Sequence, residues 1–385
     1  MTDPVIDTDA TAPPTPEPAA PDRVTRTPVT PGQAAPGQEP PVAVIDAPVI
    51  DVHAHAMPMP VLRWLADRGL ADLSRTDDNI VVLDPRISGV GPGAPLPLAR
   101  SMHDPAERLW EMDNAGVDMG LVSLPPFLFA TTCDDPALVA EVVRRGNDAL
   151  ADYCATAPER LRPLGAVPLG WPGAADEARR CLDELGFAGI AIGSRGGGRD
   201  LDASVNDPLW SLLSERRTFT FLHPSGVPDP DRLGDFWFPQ LVGYPMETAI
   251  ATARLAFGGV LERTPLVLCL AHGGGCLGDL RGRLDMGWER KRVAHTTSVP
   301  PSQLFDRLYY DTAVFAPEAL RHLVDTVGAG QVLLGTDHPF DLAEKDPVGF
   351  VRSADLGASA EASILGRTAA GLLGGLLSPA MSVRA

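Results

Sequence analysis

The chain has 385 residues, 44% of them hydrophobic, which is enough for one large core and too many for wholesale disorder. Fifty acidic residues against 32 basic ones leave a net charge of −18, which speaks against nucleic acid or an anionic membrane as a partner. Five scattered cysteines without a CxxC pair fit reduced thiols better than a disulfide framework.

Residues 1–44 are rich in proline, alanine, threonine and acids. Such a stretch buries too little apolar surface to order itself, so a disordered tail is expected there. No apolar run precedes the first basic residue, Arg23, and no stretch approaches the ~18 apolar residues of a membrane span. With the reduced thiols, this predicts a cytoplasmic protein.

Residues 45–385 read as one domain in which short β-like runs alternate with helical spacing. The first run, VIDVHAH (49–55), ends in His53 and His55, which share one side of a strand because they are two residues apart. An insertion at 57–102 follows. Its segment DNIVVLDPRISGV predicts a hairpin over the site, with Arg63, Trp64 and Arg100 as candidate contacts. Further strands are expected at 117–124, 161–169, 187–194, 219–224, 265–274, 308–314 and 332–339. Helices are expected between them, at 104–116, 135–155, 173–186, 206–217, 246–263 and 317–328. Asp104, Asp135 and Asn206 stand at N-cap positions, and Gly116, Gly186 and Gly328 where helices end. Eight strands alternating with helices predict an α/β fold, a (β/α)8 TIM barrel; a doubly wound sheet is the competing arrangement.

In a barrel the C-terminal strand ends meet at one mouth. His53 and His55 end the first strand, His223 the fifth, His272 the sixth and Asp337 the eighth. Each histidine alone reads equally well as a satisfied core residue. Together, the five side chains predict a site for a divalent ion; imidazole and carboxylate suit Zn²⁺ and also accept Mn²⁺. His338 adjoins the site, His103, His295 and His322 read as structural or exposed, and Cys269 as core.

These residues carry a strong resemblance to the amidohydrolase superfamily. The nearer match is its decarboxylase branch, typified by 2-amino-3-carboxymuconate-6-semialdehyde decarboxylase and the aromatic acid decarboxylases. VIDVHAHAMP resembles the opening HxHxxP motif of that branch, and DPAERLWEMDNAGVD its first helix. FLHP, FWFPQLVGYPMETAIA, LCLAHGGGCLGDLRGR and LLGTDHPF resemble its later motifs. The resemblance implies that His53, His55, His223 and Asp337 hold the metal and that His272 is the acid/base. Loss of CO₂ also requires a proton donor to quench the carbon, either His272 or protonated Asp337. The resemblance implies too that Arg283, eleven residues after His272, grips a substrate carboxylate in a neighbouring subunit's site, hence a homodimer. Trp237 and Phe340 fall in motifs that contact substrate.

Binuclear superfamily members bridge two metals with a lysine from strand four. The only lysines here, Lys291 and Lys345, lie far beyond that strand, so a single ion is expected. The chain departs from the branch at Leu96, where an arginine is usual and Arg100 lies nearby, and at Gln240, where a tryptophan is usual. It adds Arg195 after strand four as a candidate anion anchor. The expected reaction is non-oxidative decarboxylation of a small hydroxylated aromatic or muconate-like acid. A metal hydrolase or cyclase acting on an amide, ester or lactone, and a non-catalytic binding protein, stay open.

Overall fold

The structure, a computed structural model, describes residues 47–374; the tail expected over 1–44 lies outside them. The first strand, β1 (Ile50–His55), is buried at all six positions, as in a strand covered on both faces. It is followed by β2 (Met119–Ser123), β3 (Leu161–Gly165), β4 (Gly189–Ile192) and β5 (Phe219–Leu222). Then come β6 (Val267–Leu270), β7 (Tyr309–Asp311) and β8 (Val332–Leu333). These pair side by side in chain order, all parallel. The circle closes between the ends of the chain's strand set. The Val52 amide donates to the Leu334 carbonyl and the His55 amide to the His338 carbonyl, each at 2.8 Å. The TIM barrel is therefore present, with strands shorter than the apolar runs suggested, because polar ends have turned into the mouth.

Helices α1 (Pro105–Ala115), α2 (Pro136–Cys154), α3 (Ala174–Asp183) and α4 (Asp207–Glu215) flank the barrel. They are followed by α5 (Tyr244–Phe257), α6 (Leu277–Arg290) and α7 (Pro317–Val327). Asp104 and Asp135 cap α1 and α2 as expected, accepting from Ala106 N and from Ala137 N and Leu138 N. Asn206 does not cap α4. Its side chain instead accepts from Gly170 N and donates to two loop carbonyls. The helix expected over 246–263 is broken at Gly258–Gly259, where Gly259 has φ +73°. Helix α6 was not foreseen, because Gly278, Gly282 and Gly287 dilute its pattern and only Leu277 on it is buried.

The insertion is not a hairpin over 78–90. Ile80–Leu83 is the middle strand of a three-stranded sheet, pairing antiparallel with Ala71–Asp72 and Leu96–Pro97. Asp84 then caps a short helix, Pro85–Ser88, ending the strand before it can turn back. Thr132 Oγ1 donates to the Pro85 carbonyl, tying the insertion to the loop that follows β2 at the mouth. Among the described residues, no helix is long and apolar enough to cross a membrane.

Candidate metal centre

The strand ends deliver all five expected side chains to one place. Ligand atoms from His53, His223, His272 and Asp337 lie within 4.8 Å of one another. His55 Nε2 stands 3.1 Å from His53 Nε2 and 3.3 Å from Asp337 Oδ1. Asp337 Oδ1 is also 3.1 Å from His53 Nε2, while Oδ2 is 3.6 Å from His272 Nε2. Phe221, fully buried, lies under the His53 ring with centroids 4.7 Å apart.

Three of the imidazoles are oriented from behind. His53 Nδ1 donates to Asp311 Oδ2 at 2.6 Å, and His223 Nδ1 donates to the Pro224 carbonyl at 2.8 Å. His55 Nδ1 faces the Leu124 carbonyl at 3.3 Å and Ser123 Oγ at 3.1 Å. Donation from Nδ1 leaves the Nε2 lone pair free, which is the tautomer a metal requires.

The charges are strongly coupled. Burial alone would depress His53, but the Asp337 and Asp311 carboxylates outweigh it and push it up to about 10. Burial takes His55 down to about 4 and His223 well below its ordinary value, where neighbouring histidines add to the effect. Burial would raise Asp337, yet His53, His272 and His55 hold it well below the usual carboxylate range. An ionised Asp337 presents two acceptor oxygens to the cluster, the form in which a carboxylate holds a cation.

These residues fit a divalent ion. His223 Nε2 and Asp337 Oδ1 are buried without a hydrogen-bond partner. Leaving such atoms unsatisfied costs about 1–3 kcal/mol each, and a cation among them removes that cost. Three or four imidazoles and one carboxylate form a donor set of nitrogen and oxygen, suited to Zn²⁺ or Mn²⁺.

Of the expected substrate contacts, Phe340 is at the site, its ring 5.3 Å from that of His55 and 5.9 Å from that of Phe127. Arg100 is not; it pairs with Asp104 and Glu107 on the surface, because helix α1 begins beside it. Arg195 pairs with Asp200 across a two-stranded turn, and Arg254 holds the same Asp200. Arg63 is exposed, and Trp64 faces Arg68 and Arg145 outside the barrel. Trp237 is largely exposed in the loop after β5, and Arg283 is exposed on α6. Cys269 is buried core as expected, and His338 pairs with Glu111 at 2.8 Å.

Sequence reasoning missed Asp311, although its place at the end of β7 followed the same strand-end logic as the ligands. It also missed Arg108, which is fully buried. Its guanidinium donates to the His55 carbonyl and to His338 Nδ1, joining β1 to the loop after β8. Tyr244 was missed as well, its ring standing beside His223 and His272. Gly335 has a steric reason: a Cβ there would lie 2.7 Å from Asp311 Cβ and 2.9 Å from His53 Cβ. A cavity of about 360 Å³ outside this cluster is lined by Arg108, Trp110, Glu111 and His338 and by none of the five convergent side chains.

Known proteins place this geometry in a family. Residues 50–375 match the family model described as amidohydrolase. The 2-amino-3-carboxymuconate-6-semialdehyde decarboxylase of Dictyostelium discoideum is 33% identical over 276 residues, covering 70% of this chain and 77% of its own length. The crystal structure of 5-carboxyvanillate decarboxylase from Sphingomonas paucimobilis superposes with a TM-score of 0.72 at 25% identity, covering 85% of this chain and 99% of its own. Dihydroxybenzoic acid decarboxylase from Polaromonas sp. JS666, solved with manganese and 2-nitroresorcinol, shares the fold at 22% identity and a TM-score of 0.70, covering 85% and 97%. The HxH strand, the histidines after β5 and β6 and the aspartate after β8 thus sit on a shared scaffold: the chain belongs to the amidohydrolase family, in its decarboxylase branch.

Proposed function

We propose that this protein is a mononuclear metal-dependent decarboxylase that removes CO₂, without oxidation, from a small hydroxylated aromatic or muconate-like acid. The observation that carries the reading is the pairing of a complete ligand cluster with His272, a histidine at its edge. His53, His55, His223 and Asp337 would hold one divalent ion, Zn²⁺ first and Mn²⁺ second. The manganese in the Polaromonas relative keeps the second in play. When bound, the ion supplies Lewis acidity to a substrate oxygen next to the carbon that loses its carboxylate.

The chain's own residues do the rest. Phe340 and Phe127 make an apolar wall against His55, suited to one face of a planar acid and to excluding water. His272 stands beside the cluster rather than locked behind it, placed to protonate the carbon after CO₂ departs.

The same reading supports a homodimer. Phe236, Trp237, Phe238, Leu241, Val242, Met246 and Ile250 are exposed along one stretch, an apolar surface that a second copy would cover. Arg283, exposed on the neighbouring α6, would then grip the carboxylate of a substrate bound in the other subunit. Five free cysteines support a reducing, cytoplasmic setting.

The test is metal analysis of the purified protein together with CO₂ release from a panel of hydroxybenzoates and muconate-like acids, run beside amides, esters and lactones. Turnover of the acids, lost in His272→Ala, supports the reading. Turnover confined to the amide, ester or lactone set replaces it with hydrolysis or cyclisation.

A further inference from the structure

We propose that Tyr244 positions the His272 imidazole, fixing its ring plane by stacking where the other site histidines are fixed by hydrogen bonds. This rests on the reading of His272 as the acid/base. The contrast among the histidines is the starting point. Asp311 holds His53, the Leu124 carbonyl and Ser123 hold His55, and the Pro224 carbonyl holds His223. His272 Nδ1 is buried with no hydrogen-bond partner. Its Nε2 is 3.6 Å from Asp337 Oδ2, too far to orient the ring.

The His223 and His53 rings meet His272 edge-on, at 5.0 and 5.4 Å between centroids, and the ring that faces it in parallel is the phenol of Tyr244. The two rings are nearly parallel, at 16°, with centroids 6.5 Å apart, an offset stack. The same phenol meets His223 edge-on, at 77° and 6.0 Å. Tyr244 therefore flanks two neighbouring rings, the metal-ligand candidate from β5 and the histidine after β6, whose own centroids are 5.0 Å apart.

The backbone holds this arrangement in register. Tyr244 opens α5, and its carbonyl accepts from Thr248 Oγ1 at 3.0 Å. Gly275, three residues after His272, runs so close to the helix start that a Cβ there would lie 1.9 Å from the Pro245 carbonyl oxygen. The glycine loop carrying His272 and the turn carrying Tyr244 are thus one packed unit. Burial keeps the phenol protonated, so the stacked ring stays neutral beside Asp337.

The test compares Tyr244→Phe, which keeps the ring, with Tyr244→Leu, which keeps bulk but not the plane. Activity on the best acid found in the panel is read as kcat and KM separately. The ring-proton NMR signals of His272, identified by their loss in His272→Ala, are read in the metal-free protein. The expected result is Tyr244→Phe within about threefold of the parent in kcat, and Tyr244→Leu down by more than tenfold in kcat with KM and metal content little changed. The His272 signals should keep their ring-current displacement in the Phe variant and lose it in the Leu variant. Equal kcat in parent and Leu variant, or an equal loss in both variants, overturns the proposal. If no acid is turned over, the NMR comparison still decides whether Tyr244 sets the His272 ring, so that failure of the decarboxylase reading is told apart from failure of this one.

Discussion

Asp311 Oδ2 lies 2.6 Å from His53 Nδ1, and both side chains are completely buried. The carboxylate also accepts from Gly273 N through Oδ1, so one residue of β7 steadies both a candidate ligand of β1 and the loop that carries His272. Removing it would free His53 to rotate and lower the basicity of its imidazole. Asp311→Ala is expected to weaken metal binding by about 10–100-fold, the usual effect of losing such a partner. Competition with a chelator measures it; unchanged affinity would show that packing alone orients His53.

Gly335 is the second position where a small change reaches the site. An added methyl meets Asp311 Cβ and His53 Cβ at distances that real side chains do not tolerate. Overpacking of this kind costs about 1–3 kcal/mol. Gly335→Ala should lower the melting temperature of the metal-free protein and its metal occupancy together, as read by calorimetry and elemental analysis.

Mutation tests the two proposed histidine roles separately. His272→Ala should retain one metal per chain while kcat falls by about 10²–10⁴-fold, the range for loss of general acid catalysis. His223→Ala, which removes a buried Nε2 with no other partner, should lose the metal itself. Metal loss in both variants would make His272 a ligand.

The pH dependence of the metal-free protein has a definite sign. His53 is raised from 6.5 to about 10, so its protonated form contributes stability that is full below 6.5 and is lost as the pH rises toward 10. An ion held by His53 would have to displace that proton, so metal affinity should climb with pH across the same window. Titration calorimetry in buffers of different ionisation enthalpy should show proton release on binding at pH 7.5. Absence of release would mean that His53 is already neutral.

For Arg283, mixing variants gives a direct answer. Arg283→Ala and His272→Ala should each be weak alone. Co-refolded, they should regain part of the activity, because a mixed dimer holds one site with both residues intact. No recovery in a verified mixed dimer would confine Arg283 to its own chain.

The barrel and the convergence of its candidate metal side chains were legible in the sequence for one reason. Strand-end residues of a parallel barrel converge regardless of the loops between them, so VIDVHAH, FLHP, LAHGGG and TDHP could be assigned from position alone. Side chains whose place depends on loops or on helix starts were not legible. Arg100 and Arg195 found carboxylates close by in sequence and stayed at the surface, because a local ion pair costs little chain entropy. Arg108, Asp311 and Tyr244 act across 53, 258 and 28 residues of chain, on His55, His53 and His272 respectively. Periodicity carries no record of such distances. The sequence by itself determined which atoms can bind a metal and that they meet; the tertiary structure decided which groups orient them, because orientation depends on contacts that only closure of the barrel brings within bonding range.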